Sequence, residues 1–213
     1  ITYTIGSNST TKNVTSSNVL TPSTITNTST LSFNGTSSYI EVPNSTDFDF
    51  GTGDFTWSLW VDYQVHVNYA GLLVTGTTNS EYWLKFQGSG QYLYLQNADG
   101  DSQVANLGTN ITGTGWHHLC LVRSLGTITT YLDGSSVGTN SRPGNVNSNG
   151  NTLKIGKNGN DYFNGKMDEI AMWNTAITSC DVVGIYQASS NGITADLSTV
   201  YPNNLKYYNR MGD

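Results

Sequence analysis

Charge is what this chain has least of: 11% of its 213 residues are Asp, Glu, Lys or Arg, against about 25% in ordinary soluble domains. Solubility must then come from Ser, Thr, Asn and Gly, a balance more typical of surface-exposed β proteins than of cytosolic enzymes. Lys and Arg together number nine, no basic run occurs, and the formal net charge is -6. Nucleic acid needs clustered cations to neutralise its phosphates, so that class of partner is set aside. No apolar stretch reaches the roughly 18 residues that a membrane-crossing helix requires. Cysteine is scarce too: Cys120 and Cys180 are the two in the chain, and neither has metal-ligand spacing. Both read as buried free thiols behaving as small hydrophobes, with a disulfide left open. The chain opens at Ile1 with no initiator Met and no signal peptide, which points to a processed protein or a piece of a longer one.

What is plentiful is strand pattern cut by turns. Trp116-His-His-Leu-Cys-Leu-Val-Arg123 is half apolar, and Thr127–Leu132 is β-branched and aromatic, which suits a pleated, half-buried surface. Asp133-Gly134 supplies the positive-φ pair of a two-residue hairpin, with 135–138 as the returning arm. Runs at 152–156 and 163–173 follow, and four short strands within about sixty residues signal an antiparallel sandwich or barrel. Earlier, Phe55, Trp57, Leu59 and Val61 share one face and are assigned to the core; Thr56, Ser58, Trp60 and Asp62 share the other. Residues 82–87 and 91–96 read as a hairpin around Gly88-Ser-Gly90, with Leu93 and Leu95 inward and Tyr92 and Tyr94 outward. Residues 97–102 make the next turn and 102–107 a further strand. After Trp173 the period changes: Thr178-Ser-Cys-Asp181 is a capping box with Asp in place of Glu, so one short helix is predicted over 179–187. A chain of this length suits one β domain that buries a core without staples.

These runs resemble, in order and spacing, the laminin-G-like domains of the concanavalin A-like lectin/glucanase superfamily. Leu31-Ser-Phe-Asn-Gly through Pro43 and Phe55-Thr-Trp-Ser-Leu-Trp-Val61 are similar to that family's opening strands. Trp-His-His-Leu-Cys-Leu-Val-Arg, Tyr-Leu-Asp-Gly, Leu-Lys-Ile-Gly and Phe-Asn-Gly-Lys-Met-Asp-Glu-Ile-Ala-Met-Trp-Asn are similar to its second half. The resemblance covers roughly residues 31–188 and implies an all-β, antiparallel jelly-roll sandwich that binds glycans or proteins. Residues 1–30 are then expected as an extended Ser/Thr/Asn-rich arm with a possible edge strand. Residues 189–213 are expected as a C-terminal extension. Its Tyr-x-Arg-Met-Gly-Asp ending is similar to the opening of modules in tailed-phage virion proteins, so it reads as an edge strand or the start of a following module. Six Asn-x-Ser/Thr sequons, from Asn8 to Asn110, carry no meaning in a host that does not glycosylate.

Glycoside hydrolysis needs two carboxylates about 5–9.5 Å apart. The glucanase pattern is not met: Asp168 and Glu169 are adjacent, and neighbours on a strand point to opposite faces. Asp47 and Asp49 fall in a loop and read as solvated turn residues. Asp168 is placed on the face of Ile170 and Met172, carboxylate inward, where it needs a partner. Backbone N–H donors are one candidate. The resemblance adds another, one structural calcium ion held by Asp168 and backbone carbonyls of the amino-terminal strand. Asp99-Gly-Asp101 reads as a turn rather than a calcium loop. His117 and His118 face opposite ways and cannot chelate together; His118 reads as a hydrogen-bonded core residue, and His66 is given no role.

A platform remains. Trp60, Trp83, Tyr92 and Tyr94 fall opposite the assigned core, with Lys85, Gln87 and Asp62 beside them. Exposed rings interleaved with short polar groups suit sugars, whose ring faces stack while their hydroxyls bond amides and carboxylates. The same face could instead be covered by the arm at 7–27 or by another subunit. The expectation is a non-enzymatic module, extracellular or on a virion surface, serving decoration, attachment or adhesion by binding glycans. Its alternative is a purely structural subunit of a homo-oligomer or larger particle.

Overall fold

The structure is a computed structural model, and it describes residues 24–26, 29–76, 81–88, 91–188 and 193–210. Most of the arm at 1–30, the turn residues 89–90 and the last three residues therefore lie outside the described residues.

Two antiparallel sheets make the sandwich expected from the sequence. The seven-stranded sheet centres on Phe55–Tyr63, flanked by Trp116–Ser124 and Asn164–Trp173; the six-stranded sheet centres on Gly71–Thr75, Trp83–Gln87 and Tyr92–Asn97. Alternation does what it must: Phe55, Trp57, Leu59 and Val61 are fully buried between the layers, facing Leu84, Phe86, Leu93 and Leu95. Rings fill the middle, with Phe55 stacked on Trp57 at 4.5 Å and Tyr82 4.9 Å from Trp57. Burying one such side chain contributes about 2–3 kcal/mol. The hairpin at Asp133-Gly134 forms as its sequence requires, with φ of 50° and 76°, the mirror-image geometry that matches strand twist.

The predicted helix spans Ser179–Gln187, and both halves of its capping box are made between Thr178 and Asp181. It lies on the outer face of the seven-stranded sheet. Val182 packs against Cys120 and Val122, while Tyr186 stacks 5.9 Å from Trp60. Cys120 is buried as expected; Cys180 is exposed, because it stands in the helix's first turn, and both thiols are free. Two short helical turns, Thr46–Phe48 and Leu197–Val200, go beyond the single helix predicted.

His118 is fully buried in this layer, with Nε2 2.8 Å from Ser58 Oγ. Burial pushes its pKa down to about 4 from 6.5, against a smaller upward pull from Asp133. The unfolded chain therefore takes up a proton below pH 6.5 that the folded chain refuses until about pH 4, so stability falls as pH drops through that window, by about 3 kcal/mol. A series of melts from pH 7 to 4 should show a shallower decline for His118→Gln than for the unaltered chain; parallel curves would remove His118 as the cause.

Asn164–Trp173 runs along two partners on its outer side: Leu31–Asn34 pairs with 164–167, and Leu205–Asn209 with 170–173. Leu205–Asn209, which runs into the stretch that resembles a module opening, thus pairs within this chain's own sheet; residues 211–213 lie outside the described residues. Between the two partners sits a β-bulge at Asp168 to Ala171, with Glu169 at φ 50°. A bulge adds one residue to one strand and shifts every later side chain to the other face. That shift corrects the placing of Asp168. Met167, Ile170 and Met172 face the core, whereas Asp168 pairs with Trp60, on the outer face.

Candidate functional site

The outer face of the six-stranded sheet carries three of the four predicted platform rings, Trp83, Tyr92 and Tyr94, with Lys85 and Gln87 beside them. Trp83, Lys85 and Gln87 alternate with the buried Leu84 and Phe86, and register sets Lys85 opposite Tyr94 and Gln87 opposite Tyr92. The Trp83 indole donates to Thr75 O at 2.8 Å, which fixes its plane. Lys85 is buried to 4% exposure, its Nζ 5.5 Å from the Trp83 ring centre and 5.4 Å from that of Tyr69. Cation–π contacts of this kind hold rings and ammonium together. The small strand Lys157–Asn158 crosses over Gly71, where a Cβ would stand 2.6 Å from the Lys157 carbonyl carbon. Lys157 in turn lies over the rings of Tyr39 and Tyr162, at 4.3 and 5.0 Å.

Beside these rings is a shallow depression of about 290 Å³ lined by Asn68, Gln87, Gly88, Tyr92 and Tyr94. Ligand sites start at about 300 Å³, so it has room for one sugar ring. Its polar groups are set unevenly. Asn68 Oδ1 accepts the Gly88 N–H at 3.0 Å, which turns the Asn68 amide NH2 away from Gly88. Gln87 Oε1 is buried and has no donor among the described residues; an unmet acceptor is costly until something donates to it.

Trp60 does not belong to this group. It lies in the other sheet, between His118 at 5.2 Å and Tyr186 of the helix at 5.9 Å. Strand alternation places Trp60 outside the core, but it cannot tell which of two outer faces a residue occupies, nor that a helix covers one of them. Asp62 lies in that sheet as well and accepts from Gln64 Nε2 at 3.2 Å.

Asp168 is 4% exposed, and its Oδ1 accepts the N–H of Glu169 at 2.8 Å. The adjoining Glu169 carboxylate accepts from Thr194 Oγ1 at 2.8 Å and from the Tyr208 hydroxyl, with Arg210 Nε at 3.8 Å. Calcium takes six to eight oxygens. Among the described residues no group of three or more His, Cys, Asp or Glu comes together, and the neighbouring Glu169 carboxylate is engaged by Thr194, Tyr208 and Arg210. Asp99 accepts the Gly144 N–H at 2.6 Å and acts as a turn brace. Asp47 pairs with Lys206 at 3.5 Å, while Asp49 accepts from Ser148 at 2.6 Å.

A hydroxyl, an imidazole and a carboxylate do line up on the surface: Thr114 Oγ1 is 2.8 Å from His117 Nε2, and His117 Nδ1 is 2.7 Å from Asp133 Oδ2. An activated nucleophile would pass its proton to that base. Here the same hydroxyl donates to Ile111 O at 2.8 Å, so the array pins a loop to the hairpin turn.

A search of curated proteins finds no match. Domain 4 of AbnA, an extracellular arabinanase of Geobacillus stearothermophilus solved with arabinotriose, has a TM-score of 0.58 at 19% identity, over 72% of this chain and 74% of that one. A heptameric SAP-like pentraxin from Limulus polyphemus gives 0.54 at 17% identity, over 84% and 90%. The binding domain of Paraclostridial Mosquitocidal Protein 1 gives 0.57 at 14%, over 78% of this chain and 47% of that one. At such identities the likeness is one of fold. The family model for concanavalin A-like lectin/glucanases matches residues 34–183, most of both sheets, and the chain is therefore a member of that superfamily.

Proposed function

We propose that this chain is a non-catalytic module that binds glycans on the outer face of its six-stranded sheet, with one sugar ring seated between Tyr92 and Tyr94. The observation that carries the reading is the depression itself: Gln87, Tyr92 and Tyr94, singled out by strand alternation, line it together. Tyrosine rings offer faces for a sugar's apolar side, and the Asn68 amide NH2 offers a donor for its hydroxyls. Trp83 and Lys85 hold the floor, while Trp60 drops out. The arabinotriose complex of AbnA domain 4 shows that a likeness of this fold carries an oligosaccharide in another protein. The module acts outside the cell or on a virion surface, where low charge and a Ser/Thr/Asn-rich exterior are at home. No helix among the described residues is long and apolar enough to cross a membrane. Calcium at Asp168 stays a proposal apart, and sugar binding here does not call on it.

A glycan array tests this directly. Binding should be found, and Tyr92→Ala and Tyr94→Ala should each weaken it about fivefold or more, taking the roughly 1–3 kcal/mol of a base stacked on an aromatic as the scale for a sugar face. An unaltered chain that binds no glycan and forms a stable oligomer buried through this face would support the assembly reading instead.

A further inference from the structure

Tyr69 follows Asn68, which lines the depression, and has φ at 63° and 39% exposure. A bulky residue in the left-handed region costs roughly 1–2 kcal/mol, which Gly or Asn largely avoids. Tertiary packing often offsets such a cost, yet this ring is not in the core. One contact it does make is with the Lys85 ammonium, 5.4 Å from its centre. Its carbonyl accepts from Asn158 Nδ2 at 3.2 Å, so the backbone is held from the Lys157–Asn158 side as well. The result is a half-exposed aromatic ring, fixed at its base and backed by a cation, one residue beyond a pocket with room for a single sugar. Strain of this sort gathers at ligand clamps.

Resting on the glycan reading above, we infer that Tyr69 is a second stacking subsite and that the ligand is an oligosaccharide of two or more rings, not a lone terminal sugar. The first ring sits between Tyr92 and Tyr94, the chain passes over Asn68, and the next ring lies against Tyr69. Sequence alternation could not have found it, because residues 68–69 form a turn between strands.

The test uses Tyr69→Asn, which keeps the backbone conformation accessible. Arabinotriose, cellotriose, mannotriose and chitotriose, each alongside its monosaccharide, are titrated into the unaltered chain and the variant, with binding followed by calorimetry and ligand-observed NMR. For a trisaccharide that binds, the variant should lose at least tenfold in affinity, keep its monosaccharide affinity within twofold, and melt no more than about 2 °C lower. Trisaccharide affinity unchanged in Tyr69→Asn, while Tyr94→Ala abolishes it, would overturn the second subsite and leave the first intact. Equal losses for mono- and trisaccharide would overturn it as well, by assigning Tyr69 to the first ring. If no sugar of the set binds the unaltered chain, the glycan reading fails and this inference goes with it.

Discussion

Arg123→Met is expected to destabilise the chain by about 3–5 kcal/mol, since it removes several hydrogen bonds from a charged donor, each contributing about 1.5–3 kcal/mol. Arg123 is fully buried and stacked 4.6 Å over the Phe55 ring. Its guanidinium donates to Gly51 O, to Gly53 O at 2.8 Å through Nε, and to Gly144 O at 2.9 Å. Carbonyls of two loops distant in the chain, Gly51 and Gly53 in one and Gly144 in the other, are thus held by one planar fork, and burial pushes its pKa down to about 10. Removing it does not hurt them equally. Gly51 O keeps the Val146 N–H and Gly144 O keeps the Asn97 amide, but for Gly53 O no second donor is found among the described residues. Arg123→Lys should recover less than half the loss, because an ammonium cannot span the fork. Urea melts measure both, and a Met variant within about 0.5 kcal/mol of the unaltered chain would show that these carbonyls reach water instead.

Glu169→Ala should cost a similar amount, about 3–5 kcal/mol, and should also loosen one part of the chain more than the rest. Glu169 is 1% exposed, and its partners, the donors Thr194 and Tyr208 and the ion-paired Arg210, all come from the segment after the helix. The same segment is sewn down by Trp173 Nε1 to Tyr201 O at 2.9 Å and by the Tyr201 hydroxyl to Asp181 at 2.9 Å. With the carboxylate gone, the Tyr208 and Thr194 hydroxyls lose their acceptor inside a mostly apolar layer of Ala171, Trp173, Ile185, Ala195 and Leu197. Hydrogen exchange should then quicken in Leu205–Asn209 before it does in Phe55–Tyr63. Glu169→Gly separates two effects at the same residue: it deletes the carboxylate but relieves the positive φ, so it should be milder than Ala by about 1 kcal/mol. Uniform loss of protection across both sheets in Glu169→Ala would show that the segment is not separately latched.

The sequence by itself determined the antiparallel sandwich, most of its strands though not Gly71–Thr75, the hairpin at Asp133-Gly134, the capped helix at 179–187 and the outward-facing Trp83, Lys85, Tyr92 and Tyr94. Each of these follows from a local period or a local turn, and local physics is written in adjacent residues. Arg123 was within reach too, since alternation puts it on the inward face with Leu119 and Leu121; its three carbonyl partners were not, because they lie 21 to 72 residues away. Only the tertiary structure could decide which outer face Trp60 shares, because two sheets have two outsides and one of them carries the helix. The bulge at Glu169 belongs there as well. A run of Met-Asp-Glu-Ile-Ala-Met reads as smooth alternation, and only its pairing with Phe55–Tyr63, which slips by one residue between Asp168 and Ala171, shows that one residue bows out.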